Sequence, residues 1–132
     1  MEQITTEQLN LTYKEILSII RKCERMEGRF AAGTAQHTLL KNRIHAMQVA
    51  KQLVEEKLRP LEISAADEKT KTYTLREMAA AIEPVRSIIR KCSKAQSKYE
   101  KGATNYRRYE PMIKAMKVAE RLMEEWKQMF GQ

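Results

Sequence analysis

The sequence repeats itself at an interval of 69 residues, and this repeat restricts the folds open to the chain. The segment SIIRKC begins at Ser18 and again at Ser87, and AMQVAKQLVEE from Ala46 is matched by AMKVAERLMEE from Ala115. Held at this interval without gaps, residues 16–56 agree with the second copy at 15 of 41 positions, against about two or three expected by chance. We interpret the repeat as a duplication in which each copy is one supersecondary unit.

Apolar residues within each copy recur at intervals of three and four, which indicates helices rather than strands. The first copy predicts helix A from about Thr6 to Phe30, after a capping-box pattern of Thr5 and Gln8, and helix B ending at Leu58, before a proline. The second copy predicts helix C after a capping box of Thr74 and Glu77, and helix D after Gly102.

Four helices of this length pair as two antiparallel hairpins, so the sequence predicts an all-α four-helix bundle with internal pseudo-twofold symmetry. We expect one domain over residues 1–132, with hairpins at 5–58 and 74–130 and a polar linker at 59–73. A hairpin could also pair with one from another chain, which would give a homodimer.

Two prolines modify this plan in the second copy. Pro84 lies inside helix C, where it predicts a kink or an interrupted first turn because proline removes a backbone hydrogen bond. Pro111 is typical of the first turn of a helix, and we therefore place it in the first turn of helix D.

The composition is that of a globular protein and excludes several other classes. The chain is 42% apolar and 32% charged, and no window approaches the roughly 18 consecutive apolar residues needed to span a bilayer. The start, MEQITTEQLN, lacks the basic and then apolar stretch of a secretory signal. We therefore expect a cytoplasmic protein with no membrane association, in which Cys23 and Cys92 are reduced, buried thiols.

The sequence offers no set of residues suited to catalysis or to metal binding. His37 and His45 are the only histidines, and HExxH, CxxC and phosphate-binding glycine motifs do not occur. Neither cysteine has a neighbouring histidine that would activate it as a nucleophile. We therefore expect a non-enzymatic protein without a metal or another cofactor.

The net charge of +8 is divided unevenly between the two copies. Residues 1–66 carry 10 basic and 8 acidic side chains, a net charge of +2, whereas residues 67–132 carry 15 and 9, a net charge of +6. Basic residues form a ridge on helix A and another on helix C, which favours either a solvated surface or a footprint for nucleic acid. The ridge residues are Arg21, Lys22, Arg25, Arg90, Lys91, Lys94 and Lys98.

The two hairpin tips collect more polar and aromatic side chains than a short connection needs. Helix N-termini attract anions, arginines make bidentate phosphate contacts, and aromatic rings offer a surface on which a base stacks. We therefore predict that the tips bind an anionic small molecule that carries phosphate, such as a nucleotide. The predicted binding residues are Thr34, Thr38, Lys41, Asn42, Arg43, Tyr106, Arg107 and Arg108.

Arg43 is the most informative of these residues because it shares the inward apolar stripe of helix B. It lies four residues before Met47 and seven before Ala50, and the second copy has Met112 in its place. A charged side chain on this stripe must reach solvent at the end of the bundle, pair with an acid such as Glu27, or hold a ligand.

The segment GTAQHTLLKNRIHAM, which begins at Gly33, resembles a pattern in small uncharacterised helical-hairpin proteins of Gram-positive bacteria and their phages. In that pattern a GTxxxTLLKNRI stretch opens the second helix of a hairpin. The resemblance implies a bacterial or phage-encoded protein and brings no activity with it. It draws attention to Gly33, Thr34, Thr38, Asn42 and Arg43. The second copy departs from the pattern at Arg107, Pro111 and Met112.

Three functions fit these observations. The first is a non-enzymatic protein that sequesters or senses a nucleotide or a nucleotide-derived signal at its hairpin tips. The second is a protein that binds DNA or RNA without sequence specificity along the basic faces of helices A and C. The third is a small inhibitor or adaptor that docks on an acidic protein.

Overall fold

The computed structural model describes residues 3–59 and 73–131, and these residues form four α-helices. The helices are α1 (Thr6–Glu27), α2 (Ala35–Leu58), α3 (Leu75–Gln96) and α4 (Thr104–Phe130). The described residues contain no strand, so the predicted all-α four-helix fold is confirmed. None of these four helices has the length and apolar character that crossing a membrane requires. Between Arg59 and Tyr73, the predicted linker lies outside the described residues.

The two hairpins of one chain pack side by side. α1 contacts α2 and α4, α3 contacts the same two helices, and α2 and α4 also meet across the centre. α1 and α3 stand at opposite corners, and no Cα atoms of their described residues come within 8 Å of each other. Just before α3, the Tyr73 hydroxyl donates a hydrogen bond to Gln52 Oε1 at 2.6 Å, so α3 begins beside the end of α2. The helices therefore alternate in direction, and both hairpin tips lie at the same end of the bundle.

Threonines begin three of the four helices. The side chains of Thr5, Thr34 and Thr74 each accept a hydrogen bond from the backbone N–H three residues later, which satisfies a donor that the helix leaves unpaired. Thr5 and Thr74 also form full capping boxes, as the sequence predicts. Ala103 precedes α4 and provides no side-chain cap.

The 69-residue interval recurs in the helix boundaries. α1 and α3 begin 69 residues apart, as do α2 and α4, and the turn glycines Gly33 and Gly102 both have φ of 89°. Glycine adopts this backbone region without the clash that a Cβ causes, so each turn depends on its glycine. The fully buried methionines Met47 and Met116 are separated by the same interval. Duplication of the chain stays our interpretation of the sequence.

Three details differ from the sequence-based expectations. α1 ends at Glu27 rather than Phe30, because the chain turns there while Phe30 still packs against the core. Pro84 is the tenth residue of α3, so it does not interrupt the first turn, and the helix continues through it. Pro111 is the eighth residue of α4, and its placement in the first turn is wrong. The turn at Gly102 sets the helix start instead.

Candidate functional site

The end of the bundle that carries both hairpin tips holds the positive charge of the described residues. We call residues 19–46 and 88–115 the tip half, and the other described residues the linker half. The tip half contains 14 basic and 4 acidic residues, a net charge of +10, whereas the linker half contains 9 of each. Helices of 22 residues are about 33 Å long, several times the Debye length of about 8 Å at physiological salt, so acids of the linker half do not neutralise the far end.

Ion pairs are distributed in the opposite way. In the linker half, the Arg86 guanidinium lies 2.7 Å from a Glu120 oxygen and 3.0 Å from a Glu124 oxygen. In the tip half, Arg90 lies 3.8 Å from Glu83, and no other basic side chain there has a carboxylate within 4.0 Å among the described residues. Thirteen of the 14 basic side chains of the tip half therefore have no carboxylate partner among the described residues, and 12 of these 13 are exposed.

The predicted tip residues lie on several surfaces rather than in one enclosed pocket. Thr34 is engaged by the turn itself, since its hydroxyl donates to the Ala31 carbonyl at 2.8 Å and accepts from the His37 N–H at 3.2 Å. Arg43 and Tyr106 are half-buried. The exposed members of the set are Thr38, Lys41, Asn42, Arg107 and Arg108.

Lys41 borders an open groove on the outside of the first hairpin. The groove has a volume of about 150 Å³, and Glu24 and Glu27 of α1 line it together with Ile44, His45 and Gln48 of α2. Two carboxylates on the opposite wall make this groove a poor phosphate site, because like charges repel. Lys41 therefore lies near two carboxylates, whereas the arginines of the second tip have no carboxylate partner among the described residues.

Arg43 lies near the thiols of both hairpins and acts on their titration. Its inward position is the one that its place on the apolar stripe predicts. Burial raises the pKa of Cys23, and Arg43 opposes part of that rise. Cys92 is half-buried rather than buried as expected, and this partial burial still raises its pKa, against smaller effects of Arg43 and Lys22. The predicted pairing with Glu27 is absent, and Arg43 has no carboxylate within ion-pair distance among the described residues.

The basic ridges lie on opposite corners of the bundle. All seven ridge residues are exposed: three are on α1, three are on α3, and Lys98 follows the end of α3. Because α1 and α3 occupy opposite corners of the bundle, a ligand that contacts both ridges must span the bundle.

A buried glutamine, which sequence reasoning missed, organises the second tip. Gln96 is 8% exposed, and its Nε2 donates to the Tyr106 carbonyl at 3.1 Å and to Glu110 Oε1 at 2.7 Å. Its own carbonyl accepts from the Tyr99 N–H at 3.0 Å. The sequence offered one signal, since a polar residue ends the apolar stripe of α3 where Glu27 stands in the first copy.

Comparison of the chain with protein-family models, with curated proteins and with solved structures found no match to any of them. The resemblance of the segment that begins at Gly33 therefore stays a prediction. Within the described ranges, no three histidine, cysteine or acidic side chains gather as metal ligands would. Charge and geometry are accordingly the features that mark the tip half as a candidate site.

Proposed function

We propose that this protein binds a phosphate-bearing anion at its tip half and performs no catalysis. The observation that carries the proposal is the concentration of 14 basic residues at one end, 13 of them without a carboxylate partner in the described chain. Unpaired, exposed cations of this kind raise the local concentration of anions and accelerate their association. The proposal places the protein in the cytoplasm, where nucleotides and nucleic acids supply such anions.

The arrangement favours an extended chain of phosphates over a single small anion. The basic side chains are spread over both tips and both ridges, and most of them are exposed. An isolated nucleotide would engage a few of these cations and leave the rest unpaired. A nucleic acid strand that crosses the tip end would neutralise many of them and release the corresponding counterions.

A nucleotide or nucleotide-derived signal remains the second candidate because of Arg43. This half-buried guanidinium has no carboxylate partner among the described residues, although partly buried charges are normally paired. A phosphate that reached Arg43 beside the arginines of the second tip would supply the missing partner. The functional use would then be sequestration or sensing.

The salt dependence of nucleic acid affinity tests the proposal. Binding of a fluorescent oligothymidylate of about 12 nucleotides is measured by anisotropy over a range of salt, with mononucleotides and an acidic polypeptide as competitors. We expect the affinity to fall steeply with salt. The changes Lys91→Gln, Lys94→Gln and Lys98→Gln should together flatten the plot of log affinity against log salt, lowering its slope by about 0.7 for each phosphate that the variant no longer neutralises.

A matched variant removes the same charge from the other end. Lys14, Lys57 and Lys117 are exposed in the linker half, and their change to Gln should leave the slope unchanged. Absence of oligonucleotide and nucleotide binding would reject the proposal, and so would equal effects of the two triple variants. Stronger competition by the acidic polypeptide would favour an adaptor for an acidic protein instead.

A further inference from the structure

The second hairpin tip differs from the first in its aromatic side chains. It carries Tyr99, Tyr106 and Tyr109, where the positions 69 residues earlier hold a phenylalanine, a histidine and a leucine. The Tyr99 side chain is 40% exposed, and the other two tyrosines are half-buried. Three phenol rings therefore lie close together in the chain, at an end of the bundle that is strongly basic.

Basic side chains flank these tyrosines on both sides of the turn. Lys98 precedes Tyr99, Lys101 follows it after the exposed Glu100, and Arg107 and Arg108 lie between Tyr106 and Tyr109. All four basic side chains are exposed and lack a carboxylate partner among the described residues. The tip thus combines phosphate-binding groups with rings on which flat ligands stack.

The buried Gln96 fixes the two sides of the turn relative to each other. Its carbonyl accepts from the Tyr99 N–H at 3.0 Å, while its side chain donates to the Tyr106 carbonyl at 3.1 Å. At the first tip, Glu27 receives the corresponding backbone bond from Phe30 at 3.4 Å, and no side-chain bond to the start of α2 accompanies it among the described residues. The second turn is therefore held by a side-chain bond that the first lacks among the described residues, and such a constraint reduces the entropy lost when a ligand binds.

We infer that the second tip is a binding surface for single-stranded nucleic acid, with Tyr99 as the main stacking ring and Arg107 and Arg108 on the backbone phosphates. This inference rests on the proposed function. It adds that the ligand is single-stranded and that it binds at the second hairpin tip. A single strand exposes its base faces to aromatic rings, whereas a duplex hides them in its own stack. A surface that carried only cations would not distinguish the two.

The experiment compares three ligands on the full chain. Anisotropy gives the affinities for an oligothymidylate of about 12 nucleotides and for the same strand in a duplex, and inorganic polyphosphate serves as a competitor without bases. We expect a preference for the single strand. Tyr99→Leu should weaken single-strand binding by about five- to a hundredfold, while Tyr99→Phe, which keeps the ring, should retain it.

Two controls separate stacking from charge and from folding. The inhibition constant of polyphosphate should be the same in Tyr99→Leu as in the wild type, because the basic side chains are unchanged. Phe30→Leu changes the corresponding ring of the first tip and should leave single-strand affinity unchanged. Equal affinity for single strand and duplex, or equal loss in the Leu and Phe variants of Tyr99, would overturn the inference while leaving the proposed function standing. Failure of all three ligands to bind would overturn both.

Discussion

The two hairpins have different side chains at one corresponding position. In each hairpin this position lies on the second helix, near the cysteine of the first helix of the same hairpin. In the first hairpin the Arg43 guanidinium lies beside Cys23. In the second, the sulfur of Met112 lies 3.3 Å from the sulfur of Cys92. The same backbone plan therefore accepts a charge or a thioether here, because the position is close enough to the end of the bundle for a long side chain to reach water.

The hairpins also differ in the polar contacts that join their helices in the linker half. In the first, the Tyr13 hydroxyl donates to Glu55 at 2.8 Å. In the second, Arg86 binds Glu120 and Glu124 together. Such exposed contacts contribute little each, so they vary without loss of the fold. Four buried positions of α2 and α4, by contrast, hold the same residue in both hairpins: Ala46 and Ala115, Met47 and Met116, Ala50 and Ala119, and Leu53 and Leu122.

The largest loss of stability is expected at a position where the two hairpins have the same residue. Met47 and Met116 are both 0% exposed at matching positions, and changing either to Ala should lower the free energy of unfolding by about 2 to 5 kcal/mol. Urea unfolding of the two single variants measures both losses. A large loss in one variant and almost none in the other would show that the two hairpins do not share one core equally.

A smaller effect is expected at the helix starts of the two tips, where the hairpins do differ. Thr34 caps α2 through its hydroxyl, whereas Ala103 gives α4 no side-chain cap. Thr34→Ala should cost about 1 kcal/mol of stability, and Ala103→Thr should add up to about the same amount. Urea unfolding again provides the measurement. A destabilised Ala103→Thr would mean that the backbone before α4 cannot present a capping hydroxyl.

The helices could be predicted because their signals are local. The capping boxes at Thr5 and Thr74 and the glycines at 33 and 102 act within a few residues, and these are the features that the structure reproduces. The end of α1 was harder to predict, because Phe30 continues the apolar pattern beyond the last helical residue. Pro111 was misplaced because a proline inside a helix and one at its start look alike in a single sequence.

The candidate site was only partly predictable, because its contacts join different helices. The inward position of Arg43 follows from its spacing to Met47, but its neighbours Cys23 and Cys92 come from α1 and α3. The bonds of Gln96 to both sides of the second turn likewise depend on how α3 and α4 pack. The concentration of basic residues at one end of the bundle could not be predicted either, because it depends on both hairpin tips lying at the same end.

The smallest effect concerns the position at which the hairpins differ most in chemistry. A buried thiol with a raised pKa contributes stability that is complete below the pKa of the unfolded thiol and is lost as pH rises through the folded value. Since burial raises the pKa of Cys23 and Cys92, the free energy of unfolding should fall above about pH 9. Arg43→Met removes a cation that lowers the pKa of Cys23, so this fall should become larger, by less than about 1 kcal/mol at pH 10.

The reciprocal change, Met112→Arg, should act in the opposite direction on the second hairpin. A guanidinium beside Cys92 should lower the pKa of that thiol, reduce the alkaline loss of stability and speed its alkylation by iodoacetamide at pH 8, which mass spectrometry measures residue by residue. The pKa values of Tyr13 and Tyr73 are also raised, by the hydrogen bond to Glu55 in one case and by burial in the other. Because these tyrosines are common to all variants, the difference between variant and wild type isolates the thiols. Unchanged alkylation of Cys23 in Arg43→Met and of Cys92 in Met112→Arg would show that neither position controls its cysteine, and the contrast between the hairpins would then be one of shape alone.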